Sequence, residues 1–206
     1  LGISSFPEDH ILSLSFPGMH GVAWASLALH EADLIIAIGS RFDDRITGDT
    51  KRFAIRSKKI HIDIDPAEIN KNIKIDVPLI GNVKDVLNQL NPIVEQKTHQ
   101  DWVRTIEQMK ADHPSLRIKE TDDLLGQHVI KAIFEETEGK AIVVTGVGQH
   151  QMWAAQHYHF YTQNSWVTSG GLGTMGFEVP AAMGAQVGKP DHNVWSIAGD
   201  GGFQMT

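Results

Sequence analysis

The 206-residue sequence contains no cysteine, which excludes disulfides, thiolate metal sites and thiol nucleophiles. No apolar run approaches the roughly 20 residues that a membrane-spanning helix needs. Basic runs are absent too: 25 acidic residues against 18 basic ones give a formal charge of -7. Neither nucleic acid nor an anionic membrane surface is therefore indicated as a partner. No targeting segment opens the chain, which starts at Leu1 rather than Met. It stops at Thr206, just after a motif that should open a helix, so both ends look cut and a longer parent chain is expected. What remains is an ordinary globular composition, 41% apolar and 21% charged, long enough for one large or two small domains.

The first half follows an α/β grammar. Residues 1–20 are punctuated by Gly, Pro and Ser and end in Phe16-Pro-Gly-Met-His-Gly21. Small and apolar residues from Val22 to Glu31 predict a helix. Leu34–Ile38 predicts a strand that breaks at the loop Gly39–Gly48, which holds two arginines and two aspartates. Lys59–Ile64 alternates as a second strand, a short helix is expected over Ala67–Asn72, and Val77–Ile80 makes a third strand. Gly81-Asn82-Val83 then opens a helix to about Leu90. Gly39 and Asp63 are 24 positions apart, near the spacing at which a second-strand acid meets a ribose hydroxyl. The strict G-x-G-x-x-G fingerprint is absent. The alternative is that Asp63 and Asp65 simply end a strand and start a turn. Residues 91–121 are polar and predict an interdomain linker with one surface helix over Asp101–Asp112. Its Trp102, Ile106 and Met109 form a stripe for docking on a neighbouring domain.

The second half repeats the pattern. Asp123–Glu138 is amphipathic, and Ala141–Thr145 predicts a buried strand ending at Gly146-Val-Gly-Gln-His150, with a helix from Gln151 to about Tyr158. Such a turn aims unpaired amides at an anionic or polar ligand. His150, His157 and His159 lack a carboxylate or cysteine at ligand spacing and are not read as a metal cluster. Four glycines follow within Gly170–Gly176, then a helix of small residues around Pro180–Ala185. Last comes the apolar run Val194–Ala198, predicted to be a buried strand, broken at Gly199-Asp-Gly-Gly202. A carboxylate at the C-terminal edge of a parallel sheet can hold Mg²⁺, while glycines let the main chain approach a phosphate. The alternative for Asp200 is a plain Asp-Gly turn.

Taken in order, six segments resemble the acetolactate synthase (acetohydroxyacid synthase) catalytic subunits, which use thiamine diphosphate. They are Gly18–Gly21, Gly39–Gly48, Ile62–Ile69, Gly146–Gln156, Gly170–Phe177 and Gly199–Met205. The Arg41-Phe-Asp-Asp-Arg45 and Gly148-Gln-His-Gln-Met-Trp153 blocks separate this family from the related pyruvate oxidases and 2-oxoacid decarboxylases. A nucleotide-binding or regulatory module without chemistry of its own is the competing class.

The resemblance implies a Rossmann-like parallel-sheet FAD-binding middle domain over residues 1–93, a linker over 94–114, and part of a parallel α/β thiamine-diphosphate-binding domain over 115–206. An N-terminal pyrimidine-binding domain would lie outside this sequence. FAD contacts would come from Gly18, Met19, His20, Gly21, Gly39, Ser40, Arg41, Asp43, Asp63, Ile64, Asn82 and Val83. The family usually has Asp where Asn82 stands. Gln149 and His150 would meet thiamine diphosphate, Gly173 and Thr174 its aminopyrimidine side, and Met175 would wedge beneath it and hold it bent. Gln149, His150 and Met175 are the implied catalytic residues. Asp200 would bind Mg²⁺, with Gly201 and Gly202 against the diphosphate, and Asp44 and Arg45 would flank the substrate channel. Glu178 stands where the family usually has Gly. The implied reaction decarboxylates pyruvate and condenses the resulting enamine with a second 2-oxoacid, pyruvate or 2-oxobutyrate, with FAD doing no net redox work. The implied partners are a second catalytic subunit, in a homodimer or tetramer, and a small regulatory subunit. The implied location is the cytoplasm of a bacterium or an organelle of a eukaryote.

Overall fold

A computed structural model describes residues 2–206 as two compact units. One comprises Phe16–Ser115; the other comprises residues 2–15 together with Leu116–Thr206. Residues 2–15, placed above with the FAD-type half, thus pack with the C-terminal half. Glu8 accepts from the Phe160 N–H (2.8 Å), and Ser4 Oγ accepts from the Trp166 N–H (3.4 Å).

In the unit Phe16–Ser115 the elements are α1 (Ala23–Glu31), β1 (Leu34–Ile38), α2 (Asp44–Thr47), β2 (Lys58–Asp63), β3 (Val77–Ile80), α3 (Val83–Leu90) and α4 (Gln100–Asp112). The strands form a parallel sheet in the order β1-β2-β3, with Ile36 beside Ile60 and Ile62 beside Leu79. β1 has only one face buried: Ile35 and Ala37 enter a core with Phe42, Phe53, Ala54, Ile73 and Ile75, while Leu34, Ile36 and Ile38 stay about half exposed. Lys59 is buried in β2, and its ammonium donates to the Ala54 and Ser57 carbonyls at 2.8 and 2.9 Å, so its charge is solvated by main chain.

Two expectations change here. The loop Gly39–Gly48 contains helix α2, because Asp43 caps it by accepting from the Ile46 N–H (3.3 Å) and Gly48 takes φ 55° to leave it. The helix expected over Ala67–Asn72 is a single 3-10 turn, Pro66–Glu68, since Asp65 caps a turn that Ile69 leaves in extended geometry. The helix expected over Asp101–Asp112 is present as α4, which packs on α1 of the same unit, with Ile106 buried. Of its stripe, Ile106 is buried and Met109 half-buried, while Trp102 stays exposed.

The other unit contains α5 (Gly126–Thr137), β4 (Ile142–Thr145), α6 (Gln149–His157), β5 (Trp166–Thr168), α7 (Glu178–Gly188), β6 (Val194–Ile197) and α8 (Asp200–Gln204). All three strands are parallel, in the order β5-β4-β6. β4 is buried throughout, as a central strand with both faces covered should be. β6 is an edge strand instead of a buried one: Trp195 and Ser196 are exposed, so its apolar run does not signal two covered faces. β5 was not anticipated, since three residues are too few to show a period.

The core of this unit gathers Ile130, Ile133, Val143, Ala154, Tyr158 and Phe160. Tyr158 is fully buried, yet its hydroxyl is satisfied: it lies 2.8 Å from Thr137 Oγ1 and accepts from the Ala141 N–H at 3.1 Å. This one group joins the end of α5 to the chain entering β4. Tyr158→Phe should therefore leave a buried N–H unpaired and lower stability by about 1–2 kcal/mol in urea unfolding. An unchanged midpoint would show that the hydroxyl contributes nothing.

Two ligand-facing sheet edges

Parallel strands bring all their C-terminal ends to one edge, and in each unit that edge collects the residues singled out in the sequence. In the unit Phe16–Ser115, Gly39 follows β1 and donates to the Ile62 carbonyl (2.9 Å), while Gly81 follows β3 and donates to the Asp63 carbonyl (2.9 Å). Gly39–Ser40, Asp63–Ile64 and Asn82–Val83 therefore stand side by side. Gly39 takes φ 60° and has open space where a side chain would begin, so main chain is accessible there. Asp63 Oδ1 accepts from the Asp65 N–H (2.9 Å), and Oδ2 lies 3.5 Å from His61 Nε2. The turn role foreseen as an alternative is real, and the carboxylate keeps lone pairs for a hydroxyl. Asn82 caps α3 by accepting from the Lys84 N–H (2.9 Å), a task Asn performs as well as Asp.

A second cluster lies in the same unit. The Met19 N–H donates to the Arg45 carbonyl (2.7 Å), and a Cβ at Gly18, whose φ is 102°, would come within 2.5 Å of that oxygen. The turn Gly18–Gly21 is therefore seated on α2, with Met19 and His20 exposed. Arg41 pairs with Asp43 at 3.1 Å, and Arg45 lies 3.6 Å from Asp44. Arg41, Asp43 and Asp44 line a polar cavity of about 420 Å³ with Thr47, Lys71 and Asn72. Arg45 does not line it.

The edge of β5-β4-β6 is tighter. In chain order β5 lies on one side of β4 and β6 on the other, so the loops after β4 and β6 diverge at a switch point, where open α/β sheets place ligands. The Gly146 N–H donates to the Ile197 carbonyl (3.4 Å) across this gap. α6 begins two residues earlier than expected, so Gln149 and His150 occupy its first turn. The His150 ring packs on glycine main chain: a Cβ at Gly199 would lie 2.9 Å from Cε1, and one at Gly148 3.1 Å. Asp200 opens α8 with its residue exposed. The loop after β5 is ordered by Ser169, whose carbonyl accepts from Gly173 N–H and whose hydroxyl accepts from Thr174 N–H, both at 3.0 Å. Met175 is exposed beside Gly201, whose Cβ would lie 3.3 Å from the methionine methyl. Gln149, His150, Gly173, Thr174, Met175, Asp200, Gly201 and Gly202 thus occupy the loops and helix starts of one edge.

Whether this edge suits a Mg²⁺-bound diphosphate can be judged from its polar atoms. His150 Nε2 is buried without a hydrogen-bond partner, and the loop Gly146–Gly148 presents main chain at the start of α6, both suited to an anion. Asp200 offers a hard oxygen. Among the described residues no three acidic, His or Cys side chains converge, so such an ion would take its other ligands from phosphate and water. One residue runs against the fit. Glu178 is fully buried and neither carboxylate oxygen has a hydrogen-bond partner. A Cβ at Gly146 would lie 2.5 Å from its carboxyl carbon and one at Gly202 2.5 Å from Oε1. Ser169 and Glu178 were not assigned roles from the sequence. For Ser169 the only signal was its place before the glycines, and for Glu178 its departure from glycine.

Two family models match the chain. Residues 1–90 match "Thiamine pyrophosphate enzyme, central domain", and residues 146–206 match "Thiamine pyrophosphate enzyme, C-terminal TPP binding domain". The chain belongs to the thiamine pyrophosphate enzyme family. Along its whole length it is 48% identical to the acetolactate synthase large subunit of Corynebacterium glutamicum, covering 34% of that protein. It is 45% identical to the acetolactate synthase large subunit of Lactococcus lactis and 47% identical, again from end to end, to the chloroplastic acetolactate synthase 1 of Nicotiana tabacum, covering 36% and 32% of them. The chain thus spans about a third of the length of these curated relatives. Among its described residues no helix is long and apolar enough to cross a membrane.

Two measurements follow from this geometry. Gly146→Ala should lower stability by about 1–3 kcal/mol through overpacking against Glu178, and most of that loss should vanish in a Glu178→Gly background. Equal losses in both backgrounds, read by urea unfolding, would contradict the contact. The second concerns pH. Burial holds His150, His157 and His159 below the ordinary 6.5; Glu178 and Asp200 oppose this at His150, and His159 adds to it at His157. Folding therefore favours the neutral imidazoles. Their contribution is complete above about pH 6.5 and is lost as pH falls through the depressed values. Burial raises the Glu8 pKa, an effect of opposite sign that favours folding below 4.5 and fades as pH rises. The urea midpoint should fall between pH 7 and pH 5.5, and less steeply in a His157→Asn/His159→Asn variant.

Proposed function

We propose that this chain is the FAD-binding and diphosphate-binding part of an acetolactate synthase catalytic subunit. The observation that carries the proposal is the convergence of Gly146–His150, Ser169–Gly176 and Gly199–Gly202 on one sheet edge. The identity of 45–48% to acetolactate synthases along the whole chain supports the same choice. The whole protein would join pyruvate to a second 2-oxoacid, pyruvate or 2-oxobutyrate, with loss of CO₂. The products would be 2-acetolactate or 2-aceto-2-hydroxybutyrate, in the first common step of branched-chain amino-acid biosynthesis.

When bound, thiamine diphosphate supplies the electron sink that decarboxylation of a 2-oxoacid requires. The chain's own residues would bind and orient it. The amides of the Gly146–Gly148 loop and His150 Nε2 would meet the diphosphate, and Asp200 would hold its Mg²⁺ with Gly201 and Gly202 alongside. Gly173 and Thr174 would line the aminopyrimidine side. Met175, the apolar side chain of this loop, would prop the bent form from beneath, with Gln149 next to it. FAD would lie along the other sheet edge, contacting Gly18–Gly21, Gly39, Ser40, Arg41, Asp43, Asp63, Ile64, Asn82 and Val83, and would act structurally. Asp44 and Arg45 would flank the route of the substrate. A second catalytic subunit, in a homodimer or tetramer, and a small regulatory subunit are the proposed partners. The cytoplasm in bacteria, or an organelle in eukaryotes, is the proposed location.

Calorimetry of the chain with Mg²⁺ and thiamine diphosphate tests this reading: saturable binding is expected, weakened by tenfold or more in Asp200→Ala, roughly the loss that follows damage to a metal site. Equal affinity of wild type and Asp200→Ala would remove Asp200 as the metal ligand. Residues 1–206 alone should form no acetolactate from pyruvate, because the pyrimidine-binding domain that the resemblance implies is not among them. Detectable product would contradict the division of labour between domains.

A further inference from the structure

His61 is fully buried in β2, and neither of its ring nitrogens has a hydrogen-bond partner. Residues two apart on a strand share a face, so Lys59, His61 and Asp63 lie on the side that Ile35 and Ala37 of β1 turn to the core. The Phe42 ring braces the imidazole edge to face, with centroids 5.2 Å apart and planes at 81°. Phe42 belongs to the loop after β1 and packs in turn on Phe53. An imidazole without partners in an apolar core is less favourable than an aliphatic side chain of its size, so packing does not account for it. What the ring adds is a nitrogen beside a carboxylate: Nε2 stands 3.5 Å from Asp63 Oδ2, just beyond a good hydrogen bond. The turn after β2 already holds Oδ1, which accepts from the Asp65 N–H at 2.9 Å. Lys59 gives its ammonium to the Ala54 and Ser57 carbonyls, and Arg41 pairs with Asp43, so neither of these cations holds Asp63. One carboxylate oxygen is thus fixed by main chain, and the other faces a ring N–H in surroundings where such an attraction is little screened.

We propose that His61 is a positioning residue for nucleotide recognition: its imidazole, braced by Phe42, directs the Asp63 carboxylate toward a ribose hydroxyl at the β1-β2-β3 edge. The proposal rests on the FAD-binding reading above and deepens it, because it makes the ribose a point of selection. His61 is buried beneath the edge and acts through Asp63. With the ring in place, the carboxylate is tethered at both oxygens and keeps a lone pair in a fixed direction for a hydroxyl. Without the ring, only the turn holds Oδ1, and Oδ2 loses its guide. The same ring joins two segments of the edge, since Phe42 sits in the loop after β1 and Asp63 ends β2.

The test is calorimetric titration of the chain with ADP, which carries the adenosine end of FAD, and with 2′-deoxy-ADP, which lacks the ribose hydroxyl that a second-strand acid meets. Wild type is expected to bind ADP about tenfold more tightly, as a hydrogen bond to a carboxylate implies. His61→Phe keeps a ring against Phe42 and removes both nitrogens; His61→Met removes them with a flexible chain and serves if the phenylalanine variant does not fold. In either, the preference is expected to fall to about twofold. In Asp63→Ala it is expected to vanish, and adding His61→Phe to that background should change the ratio no further. A merely structural role for His61 would weaken both nucleotides equally, and an unchanged ratio in the His61 variants overturns the proposal while leaving the site intact. A His61 effect on the ratio that persists without Asp63 overturns it too. Equal affinity of wild type for the two nucleotides, or no binding by any of the proteins, removes the nucleotide reading of this edge and this proposal with it.

Discussion

The closeness of main chain to main chain at the ends of β4 and β6 is the constraint on which the C-terminal unit depends. Gly146, Gly148, Gly199 and Gly202 lie where a Cβ would fall 3.1 Å or less from His150 or Glu178 atoms. With any side chain there, the loops would have to separate and the His150 ring would lose its seat. Glycine is costly in ordinary secondary structure, since it surrenders the most backbone freedom on folding. Four glycines at one edge are therefore a concentrated expense, offset by the buried β4 and the core around Tyr158 and Phe160. Stability comes from the middle of the sheet and is spent at its C-terminal end.

The unit Phe16–Ser115 solves the same problem with less crowding. Gly39 has open space around it, and the edge is held by side-chain caps: Asp43 on α2, Asp65 on the turn after β2, Asn82 on α3. Each cap satisfies helix-start amides that would otherwise be unpaired. The polar residues at this edge therefore serve the backbone first, and any ligand meets loops whose shape is already fixed. This explains how Asn can stand at position 82: the requirement the structure shows there is a side-chain oxygen for the Lys84 N–H, which Asn supplies.

The strands with strong apolar runs, β1, β3 and β4, were legible in the sequence, as were the glycine-bounded loops that follow them. Failures had local physical causes. β5 is three residues long and has no period to detect. α2 was hidden in a loop because its start depends on a cap by Asp43, whose charge had been set aside for a ligand. β6 looks as apolar as β4, yet its place at the sheet edge leaves Trp195 and Ser196 exposed, and edge position is not written in a strand's own residues. The grouping of residues 2–15 with the C-terminal half is a long-range contact between Glu8 and Phe160, invisible to any window of neighbours. The glycine clusters of the candidate site were visible from the start; the unpartnered burial of Glu178 needed coordinates.

The most direct test of the central claim is to locate Mn²⁺-diphosphate on the isotopically labelled chain by paramagnetic broadening of amide resonances. The account predicts loss of signal first at Gly148, Gln149, Asp200 and Gly201. Broadening spread over the acidic surface, or centred on the cavity around Arg41 and Asp43, would contradict it.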